Sequence, residues 1–346
     1  MKSVIVFTCI FGVLSCSTAR EPADRSFATP EYLAQPGLAV VKAAALYERG
    51  GTGAGVTVAV IDSGLMPSHQ EFANRLAGPG YNYIEDVARV VDDPLNHGTK
   101  MAGLIAANRD YRGMHGVAYD AKILPMQFGA SCKDRCDRRT EPFESDDQIA
   151  RAWTDSYAQG VRILSNSWSN ALDAHLLSES HYRQLMPDSL AVAKDLTGKD
   201  VVFVFPTGNE IRREPLMEAG LPYLVEGIEK GWLAVTAVRN DGSKITDKAN
   251  ACGIARNWCI AAPGGDGGKG NGLLTTDRDG AYSEATATSA AVAMVAGALA
   301  ALKSRFPEMT TQQLRDRLLQ TANRTGVYAN SDLYGQGLLD LDAASR

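Results

Sequence analysis

Runs of lysine or arginine are missing from this 346-residue chain, whose 35 basic side chains are slightly outnumbered by 40 acidic ones, for a formal net charge of −5. That balance argues against nucleic acid as the main partner, which would call for a concentrated basic face. Internal repeats and low-complexity tracts are missing too, so solenoids, propellers and disordered arrays drop out. Cysteine is scarce at six residues and histidine at five. No acidic loop has ligand spacing specific enough to name a calcium site, and no other cofactor is indicated. What remains is ordinary globular composition, 45% hydrophobic with 33 glycines, ample for a large α/β core.

The N-terminus stands apart from the fold. Met1-Lys2-Ser3 and the apolar run from Val4 to Leu14 have the charged start and short hydrophobic segment of a secretory signal, too short to span a bilayer stably. Val13-Leu14-Ser15-Cys16 resembles a bacterial lipobox, in which the cysteine is lipidated and becomes the first mature residue. On this reading residues 1–16 are a signal peptide, 17–36 a polar tether and 37–346 the folded domain. Cys16 would then attach the chain to a membrane, and Ser17 resembles the pattern sorted to the outer membrane in Gram-negative bacteria. Simple secretion with cleavage near Ser17 to Ala19 is the alternative. Only a short stretch separates Cys16 from the first strand, so no long pro-segment is expected. Export brings oxidising surroundings, which favours disulfides among Cys132, Cys136, Cys252 and Cys259. Of three connectivities, the local pairs Cys132 with Cys136 and Cys252 with Cys259 are expected; a four-thiolate zinc site is the alternative.

Along the chain, β-branched runs alternate with helical patterns. Pro36 to Arg49 suits a helix, with proline at its start and Gly50-Gly51 after its end. Val56 to Ile61 reads as a buried parallel strand that delivers Asp62 to the C-terminal edge of a sheet, where open α/β folds bind and react. His97 opens a small-residue helix running to Ala107. Further strands are expected at 121–127, 162–167, 200–205, 233–238 and 258–264, with helices at 146–158 and 310–321. This alternation predicts an α/β fold: a three-layer, doubly wound, mostly parallel sheet flanked by helices.

The last long helix is the unusual one. From Ala290 to Leu302 no side chain is polar, so the helix belongs in the interior, yet it begins with Thr288-Ser289 among unpaired backbone N–H groups. A serine there is either a plain helix cap or a nucleophile. Nucleophilic use needs a histidine to take its proton and a carboxylate to hold that imidazole. Asp62, His97 and Ser289 each fall where a strand or helix begins or ends, in one of the chain orders known for this triad.

Val58-Ala59-Val60-Ile61-Asp62-Ser63-Gly64, His97-Gly98-Thr99-Lys100-Met101-Ala102-Gly103 and Thr288-Ser289-Ala290-Ala291 with Val295-Ala296-Gly297 resemble the three signatures of the subtilisin-like serine proteases, the subtilases. The likeness runs from about Gly37 to Ala344. It implies a subtilisin-like fold and an endopeptidase acting on polypeptides, with Asp62, His97 and Ser289 as triad. It further implies that Asn209 in Thr207-Gly208-Asn209-Glu210 donates to the oxyanion, and that Ser167-Trp168-Ser169 forms the substrate-binding strand. Asn250 to Ala255 with Trp258 to Gly264 is similar to the subtilase passenger domains of Gram-negative autotransporters, which favours the Cys252–Cys259 disulfide. Structural calcium occurs in the family, but no residues here can be assigned to it.

Three positions depart from the family pattern: Ala287 replaces a glycine, Ala293 a proline and Lys100 a second histidine. Ala287, beside the nucleophile, could narrow or strain the turn. The alternative to a protease is therefore a catalytically weak or inactive surface binding protein, and an esterase or peptide ligase would use the same acyl-enzyme. His69, His115, His175 and His181 are expected to be solvated, and Asp92 and Asp93 to lie in a solvated turn before Pro94.

Overall fold

The computed structural model describes Met1 and residues 27–129, 145–267 and 270–346. Cys16, Cys132 and Cys136, and with them the signal and the first cysteine pair, lie outside the described residues.

The β-branched runs become β1 (Thr57–Asp62), β3 (Lys122–Gln127), β4 (Ile163–Asn166), β5 (Val202–Pro206), β6 (Trp232–Val238) and β7 (Cys259–Pro263), with the short β2 (Tyr81–Asn82) at one edge. All neighbouring pairs are parallel, in the order β2-β3-β1-β4-β5-β6-β7. Val58 pairs with Ile123 on one side and Ile163 on the other, so the order reverses at β1. The crevice beyond the carboxyl ends of strands at such a reversal is where open α/β sheets bind ligands.

Successive strand residues point to opposite faces and feed two cores. Val58, Val60, Val202, Val204, Leu233 and Val235 pack towards helices His97–Ala106 and Ala287–Arg305. Ala59, Ile61, Phe203, Phe205 and Trp232 face the other way, onto helices Asp146–Ala158 and Pro187–Thr197. The result is three layers, helix on sheet on helix. In the second core Trp232 stacks on Phe203 and Phe205 with ring centroids 4.8 and 5.2 Å apart. Its indole N–H donates to the Glu218 carbonyl at 2.7 Å, so the buried polar atom is partnered.

The serine helix is buried from Ala290 to Leu302 on every side. It is long and apolar enough to cross a membrane, but it serves as the core helix of this fold. It crosses the histidine helix closely at Gly297, where an added Cβ would meet the Val117 Cβ at 2.9 Å.

Four expectations are corrected. The tether does not extend to residue 36: Thr29 caps a turn at Pro30–Leu33, and Glu31, Tyr32 and Gln35 are buried, with the Gln35 amide donating to the His115 carbonyl at 2.8 Å. Long-range partners order a stretch that has no local periodicity. The helix from Pro36 to Arg49 is two pieces, Pro36–Val40 and Ala43–Glu48, because Lys42 adopts φ +58° between them while its ammonium pairs with Asp340 at 2.5 Å. His69 and His115 are 2% and 1% exposed rather than solvated, packed among Phe72 and Tyr282 and among Tyr32, Tyr47 and Tyr119. Burial, helped by the positive charge of Arg109 and opposed by the Gly116 backbone hydrogen bond, holds the His115 pKa down at about 4. Asp93, expected in solvent, is 3% exposed.

An antiparallel hairpin, β8 (Leu273–Thr276) and β9 (Tyr282–Ala285), is present that was not among the elements expected from the sequence, although Asp279-Gly280 in its loop is a turn signal. It docks on the histidine helix, Thr275 and Thr276 donating their hydroxyls to the Lys100 and Thr99 carbonyls at 2.6 and 2.7 Å. From β9 the chain passes directly into the serine helix.

Candidate active site

Six chain segments meet at one cleft. Strand β1 delivers Asp62, β3 leads to Phe128, β4 to Ser167-Trp168-Ser169, and β5 to Gly208-Asn209, while His97 and Ser289 begin their helices. The cleft has a volume of about 360 Å³, and every one of the catalytic, oxyanion and substrate-strand residues singled out from the sequence lines it.

Asp62 is 4% exposed and its Oδ1 lies 2.7 Å from His97 Nδ1. The same oxygen accepts from the Ser63 backbone N–H at 2.7 Å. A carboxylate oxygen accepts, so the imidazole proton belongs on Nδ1 and Nε2 is left to act as base. Partial burial pulls the imidazolium pKa down, but the charge and hydrogen bond of Asp62, with the charge of Asp93, outweigh it and hold His97 above its ordinary value. Lys100 opposes this shift weakly.

Asp93 fixes the start of the histidine helix. Its two oxygens accept from the Ser63 hydroxyl at 2.6 Å and the Thr99 backbone N–H at 2.7 Å, and the Ser63 hydroxyl in turn accepts from the Gly98 N–H at 3.0 Å. These bonds satisfy N–H groups at a helix N-terminus, where an anion is also favoured by the macrodipole. In the sequence, only the proximity of Asp93 to His97 hints at this role, since its burial depends on the fold. On the far side, Asn96 at φ +58° donates its amide to Asp277, which also pairs with Lys100 at 3.5 Å.

The Ser289 hydroxyl donates to the Ser167 carbonyl at 3.0 Å, and the Ser167 hydroxyl donates to the Ser289 carbonyl at 3.2 Å. Ser289 thus shares the cleft with His97 while its hydroxyl is turned onto the substrate strand. Catalytic hydrogen bonds commonly tighten only when substrate is bound. Beside it, Ala287 adopts φ +74°, the left-handed region that favours glycine.

Asn209 is anchored by its oxygen. Oδ1 accepts from the Thr288 backbone N–H at 3.1 Å and the Thr288 hydroxyl at 2.7 Å. Because a backbone N–H can only donate, the amide oxygen must face it, and the NH2 branch remains for the cleft. Thr288, named in the sequence only as part of the serine motif, therefore orients the oxyanion candidate. Trp168 packs edge-on against Phe128 and Phe205 at 5.0 and 5.4 Å and forms an apolar wall of the cleft. Among the described residues no group of three or more His, Cys, Asp or Glu side chains is arranged to hold a metal. Cys252 and Cys259 form a disulfide that joins the segment after Asn250 to the start of β7.

The sequence matches the Subtilase family, peptidase S8, over residues 53–337. The chain belongs to the subtilase family. An extracellular serine protease of Serratia marcescens is 29% identical over 92% of this chain and 34% of its own length. The chain thus spans about a third of the length of that relative. Subtilisin NAT of Bacillus subtilis subsp. natto is 28% identical over 90% of this chain and 71% of its own length. Among solved structures, the MycP3 protease from the type VII (ESX-3) secretion system aligns with a TM-score of 0.68 and 26% identity, covering 90% of this chain and 88% of that one. The seven-stranded sheet flanked by helices is the subtilase architecture; Ala287 and Lys100 lie in the first turns of the helices that carry Ser289 and His97, behind the cleft lining.

Proposed function

We propose that this subtilase is an exported serine endopeptidase that cleaves polypeptides through an acyl-enzyme. The observation carrying the reading is the 2.7 Å Asp62–His97 contact in the cleft that also holds Ser289. Substrate entry turns the Ser289 hydroxyl from Ser167 to His97 Nε2. Nε2 takes the proton as Oγ attacks the peptide carbonyl, and Asp62 stabilises the imidazolium. The oxyanion accepts from the Asn209 NH2 and the Ser289 backbone N–H. The proton on Nε2 passes to the leaving amine, and water, with His97 again as base, hydrolyses the ester. Loss of one oxyanion donor lowers kcat by ~10²–10³-fold, the effect expected of Asn209→Ala. Extended substrate lies along Ser167-Trp168-Ser169.

A fluorophosphonate probe tests the reading. It should label Ser289 in the folded protein and fail on Ser289→Ala; an unlabelled wild type points to a non-catalytic binding protein instead. Comparing peptide with ester substrates separates an endopeptidase from an esterase.

The export reading rests on residues 1–16 and on relatives described as extracellular. Membrane attachment through a lipidated Cys16 predicts a diacylated or triacylated cysteine in the mass spectrum of the mature N-terminus. A free terminus beyond Cys16 removes the anchor.

A further inference from the structure

Asn250 is fully buried and lies outside the cleft, yet its hydrogen-bonding capacity is spent on the oxyanion loop. Its Oδ1 accepts from the Glu210 and Arg212 backbone N–H groups, both at 2.9 Å. Its Nδ2 donates to the Thr207 carbonyl at 3.1 Å and to Glu210 Oε2 at 2.9 Å. Its backbone N–H donates to the Gly208 carbonyl at 2.9 Å, and its carbonyl accepts from the Thr207 and Thr236 hydroxyls at 2.9 and 2.8 Å. Glu210 Oε2, held by Asn250, also accepts the Asn209 backbone N–H at 2.8 Å. The contact is close: Gly208 sits at φ +112°, and a Cβ there would meet Asn250 Nδ2 at 2.4 Å.

We infer that Asn250 is a positioning residue for the oxyanion hole, holding the backbone of Asn209 through Glu210 while Thr288 holds its side-chain oxygen. The inference rests on Asn209 being an oxyanion donor. An asparagine suits this position because it presents two donors and two acceptor lone pairs in one rigid plane. Here each finds a partner on the 207–212 loop, and a fully satisfied buried network is rigid. Downstream, Ala251 donates its N–H to the Arg212 carbonyl, and Cys252 is covalently tied to Cys259 at the head of β7. The disulfide is thus the outer anchor of the same brace, two residues from Asn250. An oxyanion donor displaced by an ångström loses much of its effect, on the order of 10²-fold in rate.

A kinetic double-mutant cycle tests this, using a peptide nitroanilide that the wild type hydrolyses, with active enzyme counted by fluorophosphonate titration. Asn250→Ala should lower kcat about 10- to 100-fold with KM changed less than about threefold. In an Asn209→Ala background the same substitution should have little further effect, because its influence passes through Asn209. Asn250→Asp, of the same shape but lacking the NH2 donor, supplies a second variant should Asn250→Ala fold poorly, and should behave alike. If Asn209→Ala alone leaves kcat unchanged, the oxyanion reading fails and this inference with it. If Asn209→Ala slows turnover but the Asn250 variants lower kcat equally with and without Asn209, or not at all, the positioning role alone is overturned.

Discussion

At the residue scale the site is governed by who donates to whom. His97 faces three charged groups of known sign, Asp62 and Asp93 raising its pKa and Lys100 lowering it. The acid limb of kcat/KM should report that pKa. Asp93→Asn removes a negative neighbour and should move the limb to lower pH; Lys100→Met removes a positive one and should move it to higher pH. A pH–rate profile in which both variants shift the same way contradicts the assignment. Ala287 stores strain of ~1–2 kcal/mol at its positive φ. Ala287→Gly relieves it at a cost of ~0.4–1 kcal/mol through the unfolded chain, so thermal unfolding should show a melting temperature held or slightly raised. Ala287→Val, β-branched in the left-handed region, should lower it distinctly.

At the element scale, the two helices carrying His97 and Ser289 are held in register by a close crossing and by a hairpin. Gly297 in a helix interior would ordinarily be improved by alanine, by ~1 kcal/mol. Here the added methyl would collide with Val117 at 2.9 Å and come within 3.3 Å of the Ile105 carbonyl. Overpacking of this kind costs ~1–3 kcal/mol, so Gly297→Ala should destabilise the protein in chemical denaturation. Activity should fall with it, since the crossing sets the distance between His97 and Ser289. The hairpin adds a polar tie from the other side, two threonine hydroxyls bonded to carbonyls of the histidine helix.

At the scale of the whole molecule, ionisation couples the fold to pH through buried acids. Glu71 is fully buried; desolvation pushes its carboxyl up to about 7, against the lowering pull of the hydroxyl that Tyr282 donates from the hairpin. Asp110 and Glu31 add to the rise and Arg112 opposes it. The folded form therefore keeps a proton that the unfolded chain releases near pH ~4.3. Glu71's share of stability is greatest below about pH 4, declines as pH rises towards 7 and then levels off. Glu71→Gln should flatten this decline and leave the protein more stable above pH 7, as measured by urea unfolding across a pH series. A decline as steep as that of the parent would assign the effect to other groups.

The order of strands and helices followed from local chemistry: β-branched runs such as Val56 to Ile61 pack only in a buried sheet, and the apolar length of Ala290 to Leu302 has no place but the interior. Asp62, His97 and Ser289 could be singled out as candidates because each sits at or within a turn of the end of a regular element, whereas Asn209 was named through the family resemblance. Tertiary structure alone decided the rest. Asp93 and His69 are polar side chains whose burial depends on partners far along the chain, and Asn250 gains its role from a loop some forty positions earlier. The hairpin carries a turn signal, Asp279-Gly280, both at positive φ, but its four-residue strands are too short for their pattern to declare them. The turning of Ser289 onto Ser167 and the positive φ of Ala287 arise where strand, loop and helix meet, a geometry fixed by packing between elements and invisible to periodicity within any one of them.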